Sequence, residues 1–222
     1  MAAEPTPSTP ARPRRYRSAR RARQAAQTRS DVLAAAARLF SRTGWGGTTL
    51  AAIAAEADVA VETIYNGFGS KKALLRAAFE SAVVGDAEDV PLEERAEFRA
   101  LAEGPREQRL HAAAEITADI HARSSAVWRA LTEAASADAE IADWCREMEE
   151  NRRGTLGRGL ELVLARPVEG ELLDLLWAVS GPEVYLKLVR DRGWDARAYR
   201  QWISAAWVRV SGVDDRAGSA RG

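Results

Sequence analysis

The stretch from Thr48 to Lys72 limits the possible folds most, because it has the pattern of two short helices joined by a tight turn. Its first helix carries Leu50 and Ile53 at helical spacing, and Asp58 interrupts the apolar run where the chain must turn. The second helix is predicted from Val61 to Phe68. Two short helices across such a turn form a helix-turn-helix, whose second helix can enter the major groove of DNA.

The same stretch resembles the DNA-binding signature of the TetR family of transcriptional regulators, from about Arg29 to Val84. The residues that carry the resemblance are Thr48, Thr49, Ile53, Ala54, Ala57, Val59, Thr63, Tyr65, Phe68, Ser70, Lys71, Leu74 and Leu75. Two positions depart from the family pattern: Asp58 replaces a usual glycine, and Ala60 replaces a usual serine. Asp tolerates a left-handed turn, whereas Ala60 removes a capping hydroxyl from the second helix. We expect the second departure to weaken the site slightly.

The resemblance implies which side chains contact DNA. The implied phosphate contacts, with Thr63 as a further candidate, are Thr49, Tyr65 and Lys71. The outer side of the second helix supplies the candidates for base contacts, which are Val61, Glu62 and Asn66. Glu can accept a hydrogen bond from cytosine, Asn can pair with adenine, and Val can contact a thymine methyl group. The implied partner is a palindromic operator in double-stranded DNA, read by a homodimer at two half-sites about one helical turn, or a similar multiple, apart.

The charge of the chain divides into a basic and an acidic part. Residues 1–84 hold 13 Lys and Arg against 6 Asp and Glu, and residues 85–222 hold 19 against 26. Such asymmetry is typical of a protein that meets a polyanion at one end. A basic arm precedes the first helix and contains Arg12, Arg14, Arg15, Arg17, Arg20, Arg21 and Arg23. It can follow phosphates or enter a minor groove, and the alternative is a solvated tail without a fixed role.

The predicted fold is all-α and TetR-like, with a three-helix helix-turn-helix head followed by a larger C-terminal helical bundle. We divide the chain into a disordered basic arm (1–24), a DNA-binding domain (25–84), a ligand-binding and dimerisation domain (85–212) and a loose tail (213–222). The first long helix is predicted from about Ala25 to Arg42, and Lys71 to Val84 is predicted to connect the head to the bundle. Two further helices are predicted over 105–123 and 126–135.

Several classes of protein are disfavoured by composition. The longest apolar runs span six residues, at Val32–Ala37 and Leu50–Ala55, which is too short for a spanning helix, and no secretory signal precedes them. Cys145 is the single cysteine, so no intrachain disulfide can form, and we expect a cytoplasmic protein without membrane contact. The two histidines, His111 and His121, lie in no catalytic motif. We therefore expect no catalytic residues, no metal site and no cofactor.

The C-terminal bundle is predicted to bind a small apolar or aromatic effector, because such pockets form between helices of bundles. Candidates for the pocket are His111, Ile116, His121, Trp128, Leu131, Trp144, Cys145, Met148, Trp177 and Tyr185. The segments Ser180–Tyr185 and Trp194–Ile203 resemble C-terminal segments of actinobacterial TetR regulators, and this resemblance implies pairing through the last two helices. Candidates for the dimer interface are Val184, Leu188, Tyr199, Trp202, Ile203, Ala206, Trp207 and Val210.

The sequence thus predicts a ligand-responsive DNA-binding regulator, a repressor released when an effector moves the helix Lys71–Val84. The alternative from another class is a helical ligand-binding or protein-interaction module that keeps the helix-turn-helix as a structural corner. An enzyme that depends on His111 or His121 is a third interpretation. The basic arm favours the first, since a pure interaction module has no need for it.

Overall fold

The computed structural model describes residues 14–86 and 90–211, and the side chains from residue 20 onward. Within these ranges every regular element is helical, which confirms the all-α prediction. The helices are α1 (Arg14–Gly47), α2 (Leu50–Glu56), α3 (Val61–Phe68), α4 (Lys71–Val84), α5 (Ala96–Arg99), α6 (Arg106–Ala135), α7 (Ala139–Leu164), α8 (Gly170–Val179), α9 (Pro182–Tyr185) and α10 (Ala196–Val210). Short 3₁₀ turns flank α5, and α9 continues into a π-helical segment, Leu186–Asp191. No helix in the described ranges is long and apolar enough to cross a membrane.

Helix α1 begins earlier than the sequence predicts, at Arg14 instead of about Ala25. Residues 14–24 of the basic arm are therefore helical rather than disordered, because Arg and Ala rank among the strongest helix formers. The remainder of the arm, with Arg12, lies outside the described residues, as does the tail 213–222. Near its end α1 kinks at Gly44, which has φ 68° and ψ −172°, a conformation that side chains other than glycine rarely adopt.

The helix-turn-helix forms with the bounds that the sequence predicts for its second helix, and α4 also matches. Thr49 caps α2, because its Oγ1 accepts a hydrogen bond from Ala52 N at 3.1 Å. Asp58 adopts φ 53° in the turn, as the glycine that it replaces would. Ala60 precedes α3 without any side-chain capping bond, whereas Ser70 Oγ accepts from Ala73 N and caps α4.

Helix α6 is a single helix where the sequence predicts two. The polar pair Ser124-Ser125 does not break it, since both side chains are buried and Ser124 Oγ donates to Ile120 O of the preceding turn at 2.7 Å. This helix occupies the centre of the fold and contacts α1, α4, α7 and α10.

Two hydrophobic cores divide along α6 rather than at the predicted boundary near residue 85. The first joins α1–α4 to the C-terminal half of α6, through Val127, Trp128 and Leu131. The second joins the N-terminal half of α6 to α7, α8 and α10, with Tyr199 and Trp207 among its largest buried side chains. The head is therefore packed on the bundle, and one helix belongs to both cores.

Candidate nucleic-acid interface and ligand cavity

Helix α3 turns one apolar side to the core and a polar side to solvent. Ile64 is buried and Val61 is half-buried against the first core. The candidates Glu62, Thr63 and Asn66 are exposed. Tyr65 is 55% exposed, one of the two large hydrophobic side chains that are exposed in the described part of the chain. An exposed tyrosine can offer its hydroxyl group to a phosphate, so the face of α3 has the chemistry of a groove-reading helix.

Thr49 and Lys71, the two candidate phosphate contacts outside α3, differ in their hydrogen-bond partners within the protein. Thr49 is exposed, and its hydroxyl accepts from Ala52 N while its hydrogen stays available to a phosphate. Lys71 donates to Trp45 O at 2.6 Å and lies 4.0 Å from the centre of the Trp45 ring. Burial lowers the pKa of Lys71, and the charge of Glu133 opposes that effect. An ammonium group has three donors, so Lys71 can hold Trp45 and still reach a phosphate.

Helix α1 carries several basic residues, and one of them contacts α3. Arg20, Arg21 and Arg23 are exposed. Arg29 places its guanidinium 4.6 Å from the centre of the Phe68 ring, at the end of α3. The structure thus brings Arg29, which the sequence did not single out, next to the candidate interface.

A cavity of about 350 Å³ lies between α4, α6 and α7, close to the lower limit for small-molecule pockets. Helix α4 contributes Phe79, Val83 and Val84, while α5 and its flanking 3₁₀ turns contribute Phe98, Leu92 and Leu101. The cavity wall also includes Thr117, Ser124, Arg152, Ser180 and Trp207. Phe79 and Val83 lie four residues apart on α4 and form an apolar stripe separate from the core side chains Leu74, Leu75 and Ala78. This helical spacing is the signal in the sequence that could have identified Phe79 and Val83 as cavity residues.

Four of the pocket candidates line this cavity, and the others do not. The four are Ile116, His121, Trp128 and Met148. Leu131 is buried in the first core, against which Trp144 and Cys145 pack. His111 points away from the cavity, with 68% of its side chain exposed, and Trp177 lies 5.0 Å from the Arg152 guanidinium. Tyr185 packs against Tyr199 with ring centres 4.8 Å apart.

His121 is the most strongly perturbed titratable group at the cavity. Burial lowers its pKa to about 3, with a further contribution from the charge of Arg152, so the imidazole is neutral. Its Nδ1 lies 2.7 Å from Tyr199 Oη, and the ring also hydrogen-bonds with the backbone of Ser180. Because a neutral imidazole has one donor and one acceptor, these two bonds use both ring nitrogens. His121 therefore contributes ring surface rather than a free polar atom to the cavity.

Polar contacts join the head to α6 and α7. The Glu133 carboxylate accepts from Trp45 N at 3.1 Å and from Gly46 N at 3.2 Å, directly after the kink of α1. Lys72 forms ion pairs with Asp138 and Glu140 at the start of α7. At the other end of α4, Arg123 donates to the carbonyl oxygens of Ala82 and Val83.

Comparison with known proteins gives a match for the helix-turn-helix. Residues 32–78 match the family model for bacterial regulatory proteins of the tetR family, over the helix-turn-helix and the start of α4. This part of the chain is similar to the DNA-binding region of TetR-family regulators. No curated protein matches it in sequence.

Solved structures agree on the fold. A protein of Mesorhizobium loti assigned to the TetR family has a TM-score of 0.64 at 16% identity, over 86% of this chain and 98% of its own. A TetR-like regulator from Rhodococcus gives 0.51 at 18% identity, over 82% and 94%. A Clostridium perfringens protein assigned as a fatty acid metabolism regulator gives 0.55 at 17%, over 81% and 96%. At these identities the likeness establishes the TetR fold alone.

The matched region and the fold agree with the coarse function of a DNA-binding transcriptional regulator. TetR-family regulators are generally not enzymes, and the described residues hold no cluster of three or more potential metal ligands.

The candidates for the TetR-type dimer interface fall into two groups. Tyr199, Ile203 and Trp207 are fully buried within the protomer, so we assign them to its second core rather than to an interface. The others are half-buried and stay candidates: Val184, Leu188, Trp202, Ala206 and Val210. The helical spacing of α10 could not separate the two groups, because both are apolar and only the packing of α6 and α8 on α10 decides which residues are fully buried.

Proposed function

We propose that this protein is a TetR-family repressor that binds a palindromic operator as a homodimer and is released by a small apolar or aromatic effector. The observation that carries the proposal is the position of α4. Its first residues follow directly on α3, and its last two turns line the cavity through Phe79, Val83 and Val84. A ligand in the cavity therefore touches the helix that carries the DNA-reading element.

The proposed DNA contacts follow from the exposed face of α3. Tyr65, Thr63, Thr49 and Lys71 would hold phosphates, while Glu62 and Asn66 would read base edges, with Val61 at the margin of the face. The exposed arginines at the start of α1 would add sequence-independent attraction.

The proposed dimer interface lies on α8 and α10, which pack against each other, and includes Val184 and Leu188 from the segment between them in the chain. Leu175 on α8 is 49% exposed, and Leu172 and Val179 on the same helix are half-buried. On α10, Trp202 is half-buried, with Trp194 edge-on to it at 6.4 Å. Apolar side chains left open on two adjacent helices favour burial against a second copy.

Release requires the effector to bind one arrangement of the two heads better than the other. A ligand between α4 and α6 can supply that difference, because it would hold α4 at a different angle to α6. Under this proposal the effector stabilises a spacing of the two α3 helices that no longer fits two half-sites one helical turn apart.

The test is selection of bound DNA from a random pool, followed by salt titration of the selected fragment. We expect a palindromic sequence and a steep loss of affinity with salt. Tyr65→Phe should weaken all sequences alike, and Asn66→Ala should relax the preference at one position of each half-site. Unselective binding, or affinity that hardly changes with salt, would rule out the repressor and favour the interaction module.

A further inference from the structure

The walls of the cavity carry a pattern of hydrogen-bond acceptors that narrows the class of effector. We infer that the cavity selects an uncharged, mainly apolar molecule with a hydroxyl group, which donates its hydrogen to Ser124 Oγ. This inference rests on the proposed function and specifies the effector of the same site.

Ser124 is the central acceptor. Ser124 lines the cavity and is buried, with only 2% of the residue exposed to solvent. The hydroxyl hydrogen is committed to Ile120 O at 2.7 Å, one turn earlier in α6. The oxygen keeps lone pairs that accept from no donor among the described residues, so a ligand can only donate to it.

Thr117 repeats this arrangement two turns earlier. Its Oγ1 donates to Ala113 O at 2.9 Å and also lines the cavity. Residues 117, 121 and 124 lie at helical spacing on one face of α6, with the fully bonded ring of His121 between the two hydroxyl groups. The polar side of the cavity is therefore an acceptor stripe on a single helix.

The buried donors of the wall are already engaged within the protein. Trp128 Nε1 donates to Glu183 Oε1 at 2.5 Å, and Trp207 Nε1 donates to Ser180 Oγ at 2.7 Å. Among the buried side chains of the wall, Ser180 retains its own hydroxyl hydrogen, and the exposed Asn151 adds an amide that can donate or accept. A hydroxyl group suits this combination, because it can donate and accept at once.

Charged side chains of the wall are neutralised by each other. Arg152 donates to Glu149, to Trp177 O at 3.2 Å and to Ser180 O at 3.1 Å, which engages all three of its nitrogens. Arg76 forms an ion pair with Glu80 at 2.8 Å. A charged ligand would have to break one of these pairs or remain unpaired in a largely apolar cavity, and burial of an unpaired charge is costly.

The experiment compares three probes of one size with the full-length protein: 4-butylphenol, its methyl ether 4-butylanisole, and 4-butylbenzoate. Calorimetric titration should give the lowest dissociation constant for the phenol, with the ether about 3- to 10-fold weaker because it cannot donate. The benzoate should bind most weakly.

Ser124→Ala should raise the dissociation constant of the phenol to that of the ether. The matched control is Ser125→Ala. Ser125 is the next residue of the same helix, is fully buried, has no hydrogen-bond partner for its Oγ, and does not line the cavity. This control should keep the preference for the phenol. The comparison of phenol with ether in the unmodified protein does not depend on the folding of either variant.

Three outcomes would overturn the inference: an ether that binds as tightly as the phenol, a benzoate that binds tightest, or a phenol preference that survives Ser124→Ala. Absence of binding by all three probes would do the same. Failure of the proposed function looks different, since the phenol would then bind with the expected preference while the affinity for the selected DNA stayed unchanged.

Discussion

His121 links the stability of the protein to pH, because it is neutral in the folded state and titrates normally once unfolded. Its folded pKa, about 3, lies below the unfolded value near 6.5. The unfolded state therefore binds more protons between these values, and the stability that neutral His121 provides at pH 7 is lost as pH falls below about 6.5. This linkage is a property of one buried side chain and needs no ligand.

Chemical denaturation at pH 7 and pH 5 should show the effect. The free energy of unfolding should fall by about 2 kcal/mol more in the unmodified protein than in His121→Gln, in addition to any general pH dependence. His111→Gln is the control, since His111 is exposed on the same helix and its replacement should leave the difference in place. Equal losses in all three proteins would show that His121 is accessible to protons in the folded state.

The capping positions of the helix-turn-helix allow a test at the scale of one element. Ala60 stands before α3 with extended backbone and no side-chain cap, although the same position of α4 is capped by Ser70. Ala60→Ser should raise the free energy of unfolding by about 0.5–1 kcal/mol, and Ser70→Ala should lower it by about 1 kcal/mol. Thermal denaturation of the two variants measures both signs. A loss of stability in Ala60→Ser would mean that the hydroxyl cannot reach the first turn of α3.

Replacement of Glu133 tests how much the polar contact between α1 and α6 stabilises the protein. Its carboxylate binds two backbone N–H groups after the kink at Gly44, and Lys71 holds the carbonyl of Trp45 in the same turn. Glu133→Ala should destabilise the protein by about 1–2 kcal/mol, because these bonds are charge-assisted but exposed.

The same variant should weaken binding to the selected operator, since Thr49 and Lys71 lie next to this turn, although Glu133 itself is not a proposed DNA contact. Thr132→Ala is the matched control, because Thr132 Oγ1 bonds only within α6, to Arg129 O. Unchanged DNA affinity in Glu133→Ala would separate the turn from the DNA-binding face.

The sequence predicted elements well where local signals agree, and less well where burial decides. The bounds of α3 and α4 follow from Asp58, Gly69 and Ser70, which act on the nearest turn of chain. The continuity of α6 through Ser124-Ser125 depends on packing from several helices, which no local signal carries. For the same reason, only some of the pocket candidates line the cavity. Helical spacing identifies an apolar face, and only the packed fold shows whether that face contacts a core, a cavity or solvent.

At the scale of the whole molecule, the two cores share α6, so under the proposed function a change at the cavity would be transmitted through packed helices. The α4 helix packs on α6 along its length and is fixed at both ends. Lys72 ties its start to α7, and Arg123 ties its last carbonyls to α6. Such a helix can shift as a unit between two arrangements, which is what effector-dependent DNA binding requires.

The last prediction concerns this coupling. If 4-butylphenol weakens binding to the selected operator by some factor, the operator must weaken binding of the phenol by the same factor, about 5- to 150-fold for a typical coupled pair of sites. Arg123→Ala should reduce the factor, because Arg123 fixes the end of α4 at Ala82 and Val83 without lining the cavity.

Both binding constants of that variant, each measured without the other ligand, should stay close to those of the unmodified protein. Arg106→Ala serves as the control and should leave the coupling factor intact, because Arg106 is exposed at the start of α6, the helix that also carries Arg123. Full coupling in Arg123→Ala would show that the end of α4 moves freely relative to α6, and that the effector acts on the head through the turns of α4 nearer to α3.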